Sequence, residues 1–139
     1  MQKIEFIKMH GLGNDFVIID NRINSILITP SIINKLSDRK FGAGCDQIIT
    51  INKSTGDEDA RIEIFNPGGD KAEACGNGTR CVAKLLFEEN KKKSINILSE
   101  VGILNATYKN ENNISVNMGR LHTKWNKIPM TKEIDTMNV

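Results

Sequence analysis

The residues most able to do chemistry lie in Ala74-Cys75-Gly76-Asn77-Gly78-Thr79-Arg80-Cys81. A cysteine followed directly by Gly-Asn-Gly, with a helical pattern opening behind it, is expected at a helix N-terminus. Free backbone N–H groups and the positive end of the helix dipole favour a thiolate there. The same N–H groups can hold a carboxylate. A reactive sulfur beside an anion pocket suits proton transfer at a carbon next to a carboxylate. Three further loops are rich in Gly and amide residues: Gly11-Leu12-Gly13-Asn14-Asp15-Phe16, Gly44-Cys45-Asp46-Gln47 and Asn66-Pro67-Gly68-Gly69. An amide side chain donates and accepts hydrogen bonds without net charge, so these loops together would suit a small zwitterion. Taken singly, Asn14 and Asn66 also suit plain turn capping.

The elements that must position these loops follow from the apolar pattern. Lys3 to Met9 reads as a strand, His10 to Asp15 as a loop, and Phe16 to Asp20 as a short buried strand. Asn21 to Ser25 turns the chain. Thr29-Pro30 is a helix start, with Ile32, Ile33 and Leu36 on one face and Gly42 and Gly44 as stops. Asp46 to Asn52 is a second apolar run, and Ser54 to Asp59 a polar loop. Arg61 to Phe65 alternates as a strand and breaks at Asn66-Pro67-Gly68-Gly69-Asp70. A helix from about Gly76 to Asn90 carries Val82, Leu85 and Leu86 on its buried stripe. Strands over Ile95 to Ser99, Gly102 to Lys109 and Ile114 to Met118 complete the pattern, with Asn110 to Asn113 as a polar turn. Strands in neighbouring pairs around two helices predict an α+β domain with a curled, mixed or largely antiparallel sheet. Beyond Gly119 the period dissolves, so residues 1–119 read as the domain and residues 120–139 as a linker or tail.

Composition narrows the function classes. The chain has 139 residues, 39% hydrophobic and 26% charged, enough for one core or for half of a two-domain protein. Its 19 basic and 17 acidic residues give a net charge of +2, which argues against a nucleic-acid partner. Lys91-Lys92-Lys93 closes a helix, where cations suit the dipole. The sequence has no apolar run near 18 residues and no signal-peptide pattern, so no membrane partner and a cytoplasmic location are expected. Three cysteines form no disulfide framework, and Cys75 and Cys81, six apart, point about 120° apart on a helix. Neither they nor His10 and His122 suggest a metal site.

Taken together, Lys8 to Phe16, Gly44 to Gln47, Ala72 to Cys81 and Val116-Asn117-Met118-Gly119 resemble the diaminopimelate epimerase family, in order and spacing, over about residues 3 to 120. The resemblance implies two similar domains, each a sheet curled around a central helix, with the active site between them. It implies cofactor-independent interconversion of LL- and meso-diaminopimelate, in lysine and peptidoglycan biosynthesis. A thiolate would take the α-proton from one face, and a thiol on the other face would return one. On this resemblance Cys75 is the first of the two cysteines. Asn14, Gln47 and Asn66 match substrate-binding positions, and Gly76 and Asn77 match the backbone that holds the substrate carboxylate.

Two departures stand out. The loop that usually reads Asn-x-Asp-Gly-Ser is here Asn66-Pro67-Gly68-Gly69-Asp70, with Gly68 where the family has Asp. The chain is also about half the family length, which predicts an absent second domain and its cysteine. Cys81 is expected in the core and Cys45 near the pocket wall, neither opposite Cys75. An isolated half would expose its pocket face and would need either the C-terminal half or self-association to cover it. Two other readings stay open: a decayed remnant that at most binds a small anion or amino acid, and a proline-racemase-like or phenazine-biosynthesis-like isomerase.

Overall fold

The computed structural model describes residues 3–136. Met1 and Gln2, at the start of the expected domain, and Met137, Asn138 and Val139, at the end of the expected tail, lie outside the described residues.

Strands β1 (Ile7–Gly11) and β2 (Asn14–Asp20) form an antiparallel hairpin. Its turn is Leu12-Gly13, with φ of 55° and 86°. Two successive positive φ values match the right-handed twist of the strands they join. The expected strand from Lys3 therefore starts only at Ile7, and the expected loop from His10 to Asp15 shrinks to two residues. Gly11 and Asn14, which read as loop formers, are paired across the ladder.

Helix α1 (Pro30–Ser37) starts as the sequence predicts: Thr29 caps it, its hydroxyl accepting from Ile32 N at 3.3 Å. It stops well before Gly42. Asp38 leaves helical geometry, and its carboxylate takes the N–H groups of Lys40 and Phe41 at 2.7 and 2.9 Å. That local alternative to the helix ends it without a glycine. β3 (Gln47–Asn52) then runs parallel to β2, and β4 (Ala60–Phe65) returns antiparallel. The two-residue strand β5 (Lys71–Ala72), too short for any periodicity to reveal, pairs with β4.

Helix α2 (Gly76–Asn90) follows, ending at Lys91 in a left-handed cap whose N–H donates to Phe87 O. β6 (Ser94–Ser99) lies parallel to β4, and β7 (Gly102–Asn110) and β8 (Asn113–Asn117) complete an antiparallel meander. The sheet order is β1-β2-β3-β4-β6-β7-β8, with β5 beside β4. α2 touches β1 and β2 on one side and β6, β7 and β8 on the other. The mixed sheet thus curls around the central helix, the α+β architecture the pattern predicts.

The period of two along the strands splits the core between two faces. Phe16, Ile18, Ile49, Ile62 and Ile64 face α2, where they meet Val82 and Leu86. Leu85, placed by periodicity on the same stripe, packs at its margin. Val17, Ile19 and Ile48 face α1 and meet Ile33. Each fully buried side chain of this size contributes roughly 1.5–3 kcal/mol, so α2 and the ends of the strands around it are firmly seated. Beyond β8 the described residues hold one further helical turn, the 3-10 segment Trp125–Lys127. No helix among the described residues is long and apolar enough to cross a membrane.

Candidate functional site

Four chain segments converge at one end of the sheet. β2 and β3 run parallel, so their first residues, Asn14 and Gln47, share that end. β4 runs back and delivers Asn66 just after Phe65, which pairs with Ile48. The N-terminus of α2 sits against the same edge: a Cβ added to Gly11 would meet Asn77 O at 3.2 Å, and one added to Gly78 would meet Ile49 Cδ1 at 2.6 Å. Met118, just past β8, closes the other side, 3.5 Å from a Cβ added to Gly76. Glycine at positions 11 and 78 therefore lets the helix start approach the sheet, with Cys75 at the rim.

Cys75 is the N-cap of α2, in extended geometry. Its sulfur accepts from Gly78 N at 3.4 Å, while its S–H is positioned to donate to Asn14 Oδ1 at 3.7 Å. The sulfur thus has one donor and one acceptor beside it. Asn77 Nδ2 also donates to Asn14 Oδ1, at 3.4 Å, and Asn77 Oδ1 accepts from Arg80. The N–H groups of Gly76 and Asn77 open the helix, where no preceding turn supplies an acceptor.

Asn14 is held from behind. Its Nδ2 donates to Asp46 Oδ2 at 2.9 Å, and the same oxygen accepts Asp15 N at 3.0 Å. Arg39 bridges Asp46 and Asp15, at 2.8 and 2.7 Å, and Lys8 adds an ion pair to Asp15 at 2.8 Å. The Asn14 amide, with the Asp15 N–H next, holds the Asp46 carboxyl below its usual range. Arg39, then Lys8, holds Asp15 well below its own. Both stay ionised at neutral pH. A carboxylate only accepts, so Asp46 must take the NH2 of Asn14, which turns Oδ1 toward Cys75.

Gln47 and Asn66 form a second pair: Gln47 Nε2 donates to Asn66 Oδ1 at 2.9 Å, and Asn66 Nδ2 donates to Asp70 Oδ2 at 2.7 Å. The structure thus gathers Cys75, Asn14 and Asn77 into one hydrogen-bonded group, and Gln47 and Asn66 into another at the same end of the sheet. Sequence reasoning missed the carboxylates behind both groups, Asp46 and Asp70. The one available signal was that each lies within a few residues of a motif amide.

The other cysteines are elsewhere. Cys81 packs in the α2 core, 4% exposed. Cys45, expected near the pocket wall, is instead 3% exposed and packs with Val17, Ile19, Ile33 and Ile48 in the core under α1. Burial pushes both thiols up. No group of three or more His, Cys, Asp or Glu able to hold a metal occurs among the described residues.

Residues 6–124 match the family model described as diaminopimelate epimerase. This chain belongs to the diaminopimelate epimerase family. It is 43% identical over 136 residues to a diaminopimelate epimerase of Pelagibacter ubique, covering 98% of this chain and 49% of that protein. Against a diaminopimelate epimerase of Zymomonas mobilis it is 40% identical, over 96% of this chain and 48% of the relative. The chain therefore spans about half the length of the curated relatives it matches. Among solved structures, a methylitaconate-delta-isomerase superposes with a TM-score of 0.63 at 15% identity, covering 94% of this chain and 69% of that one. A phenazine biosynthesis protein of Bacillus anthracis gives 0.61 at 23% identity, over 81% and 38%. At such identities these two establish the fold alone, the curled sheet around a helix that this family member also has.

Proposed function

We propose that this chain is the N-terminal half of a cofactor-independent epimerase that interconverts LL- and meso-diaminopimelate, in lysine and peptidoglycan biosynthesis in the cytoplasm. The observation that carries the reading is Cys75 at the N-cap of α2, its sulfur between Gly78 N and Asn14 Oδ1.

In this reading the Cys75 thiolate takes the α-proton. An S–H bond forms, the Cα–H bond breaks, and the electron pair passes into the substrate carboxylate. The Gly76 and Asn77 N–H groups stabilise the added charge on those oxygens, an effect of oxyanion-hole type. A thiol on the opposite face then donates its proton to Cα and becomes the thiolate. Each turnover exchanges the protonation of the two sulfurs, so the reverse reaction starts from the other face. The two amide groups behind Cys75 give the remaining polar ends of a diamino acid both donors and acceptors. The second thiol would come from a C-terminal half, because Cys45 and Cys81 are committed to the two cores. That half, or a second copy of this chain, would cover the pocket face.

Calorimetry on this chain tests the substrate. Heat of binding for meso-diaminopimelate, and none for proline at the same concentration, is the expected result. Equal response to both, or to proline alone, would contradict it.

A further inference from the structure

The Asn66 loop departs from the family pattern, and the structure gives that departure a physical role. Asp70, two residues beyond the position of the missing aspartate, turns its carboxylate back onto Asn66 Nδ2 at 2.7 Å. The loop is tight enough to fix this: Asn66 N donates to Asp70 O at 2.9 Å and Gly69 N to Asn66 O at 2.8 Å, with Gly69 at φ 92°. A side chain at position 68 would begin 3.2 Å from Asp70 Oδ1, a tight approach that glycine avoids.

An ionised carboxylate cannot donate. Asn66 must therefore present its NH2 to Asp70 and its Oδ1 to the other side. Asn66 Oδ1 in turn can be reached only by the NH2 of Gln47, at 2.9 Å. The one group left over is Gln47 Oε1, which is buried and has no hydrogen-bond partner. A buried carbonyl without a donor is costly, a cost that a ligand N–H would remove.

We infer that Asp70 is a positioning residue: through Asn66 it fixes the amide orientation of Gln47 and offers Gln47 Oε1 as an acceptor for an N–H donor of the ligand. The ammonium of an amino acid is the donor of that class. The orientation itself stands on the geometry above. Its use in binding rests on the proposed function.

Side-chain amide NMR on the full 139-residue chain separates the two. Asp70→Ala is expected to shift the NH2 signals of both Asn66 and Gln47 and to speed their hydrogen exchange, with the backbone signals of β6 to β8 unmoved. Asp70→Asn, whose amide can donate as well as accept, is expected not to restore them fully. A Gln47 NH2 signal unchanged in Asp70→Ala, or full recovery in Asp70→Asn, overturns the relay. In the same samples Asp70→Ala should weaken meso-diaminopimelate binding about tenfold, the loss of one oriented hydrogen bond. Wild-type chain that binds no diaminopimelate contradicts the proposed function, and the amide signals still decide the relay.

Discussion

A single sulfur separates this chain's three cysteines into two kinds. Cys75 is half-buried at the rim, whereas Cys45 and Cys81 are buried thiols pushed up by desolvation. Only thiolates react readily with alkylating agents. Iodoacetamide at pH 8 is expected to label one equivalent, on Cys75, by peptide mass mapping. Labelling of Cys45 or Cys81 at a comparable rate would contradict the placement. Asn14 Oδ1 lies against the sulfur. Asn14→Ala removes that contact and opens the space beside it, and should speed Cys75 alkylation at pH 7 by about two- to tenfold, the loss of one hydrogen bond. Behind Asn14, the lowered Asp15 carboxyl gives a pH dependence of known sign. Its folded value lies below that of an unfolded aspartate, near 3.9, so the unfolded chain binds more protons as pH falls. Its stabilisation is present above about pH 4 and is lost as pH drops through the folded value. Melting temperature should fall on acidification from pH 5 to pH 3, and less steeply in Asp15→Asn.

Elements place these residues more tightly than the sequence pattern conveys. The apolar runs and the Thr29-Pro30 signal suffice for every strand but β5, for both helices and for the mixed curled sheet. The carboxylate relay behind Asn14 does not follow from any pattern, because it joins residues from different loops that only the fold brings together. Asp70, though in the loop of Asn66, reaches its amide only through the geometry of that turn. The first hairpin illustrates why loops mislead: Gly11, Asn14 and Asp15 are turn formers by type, yet cross-strand pairing captures them and leaves Leu12-Gly13 as the turn. That hairpin carries Asn14 to the sulfur. Gly13 has φ 86° and open space around it, so Gly13→Ala meets no clash and its cost is purely conformational. About 1–2 kcal/mol of destabilisation is expected in urea unfolding, with slower or altered Cys75 labelling as the hairpin shifts. Leu86, fully buried between α2 and the sheet, should cost about 2–5 kcal/mol on truncation to Ala. An effect below 1 kcal/mol there would contradict α2 as the central helix.

In the proposed function, the molecule as a whole supplies one face of a reaction that needs two. It spans about half of the diaminopimelate epimerases it matches, and its other two thiols are locked in separate cores. One acid/base group can exchange an α-proton on its own face, but inversion needs a proton delivered from the other. The most direct measurement follows LL-diaminopimelate in deuterium oxide by NMR. It compares this chain alone, the chain fused to the complementary half of the Pelagibacter ubique relative, and the Cys75→Ala form of that fusion. Inversion with deuterium at the α-carbon is expected from the fusion only, falling at least a thousandfold in Cys75→Ala, about the loss of a 4 kcal/mol transition-state contribution. Inversion by this chain alone at the fusion's rate, or an active Cys75→Ala fusion, would contradict the assignment of Cys75 as one of two paired acid/base groups.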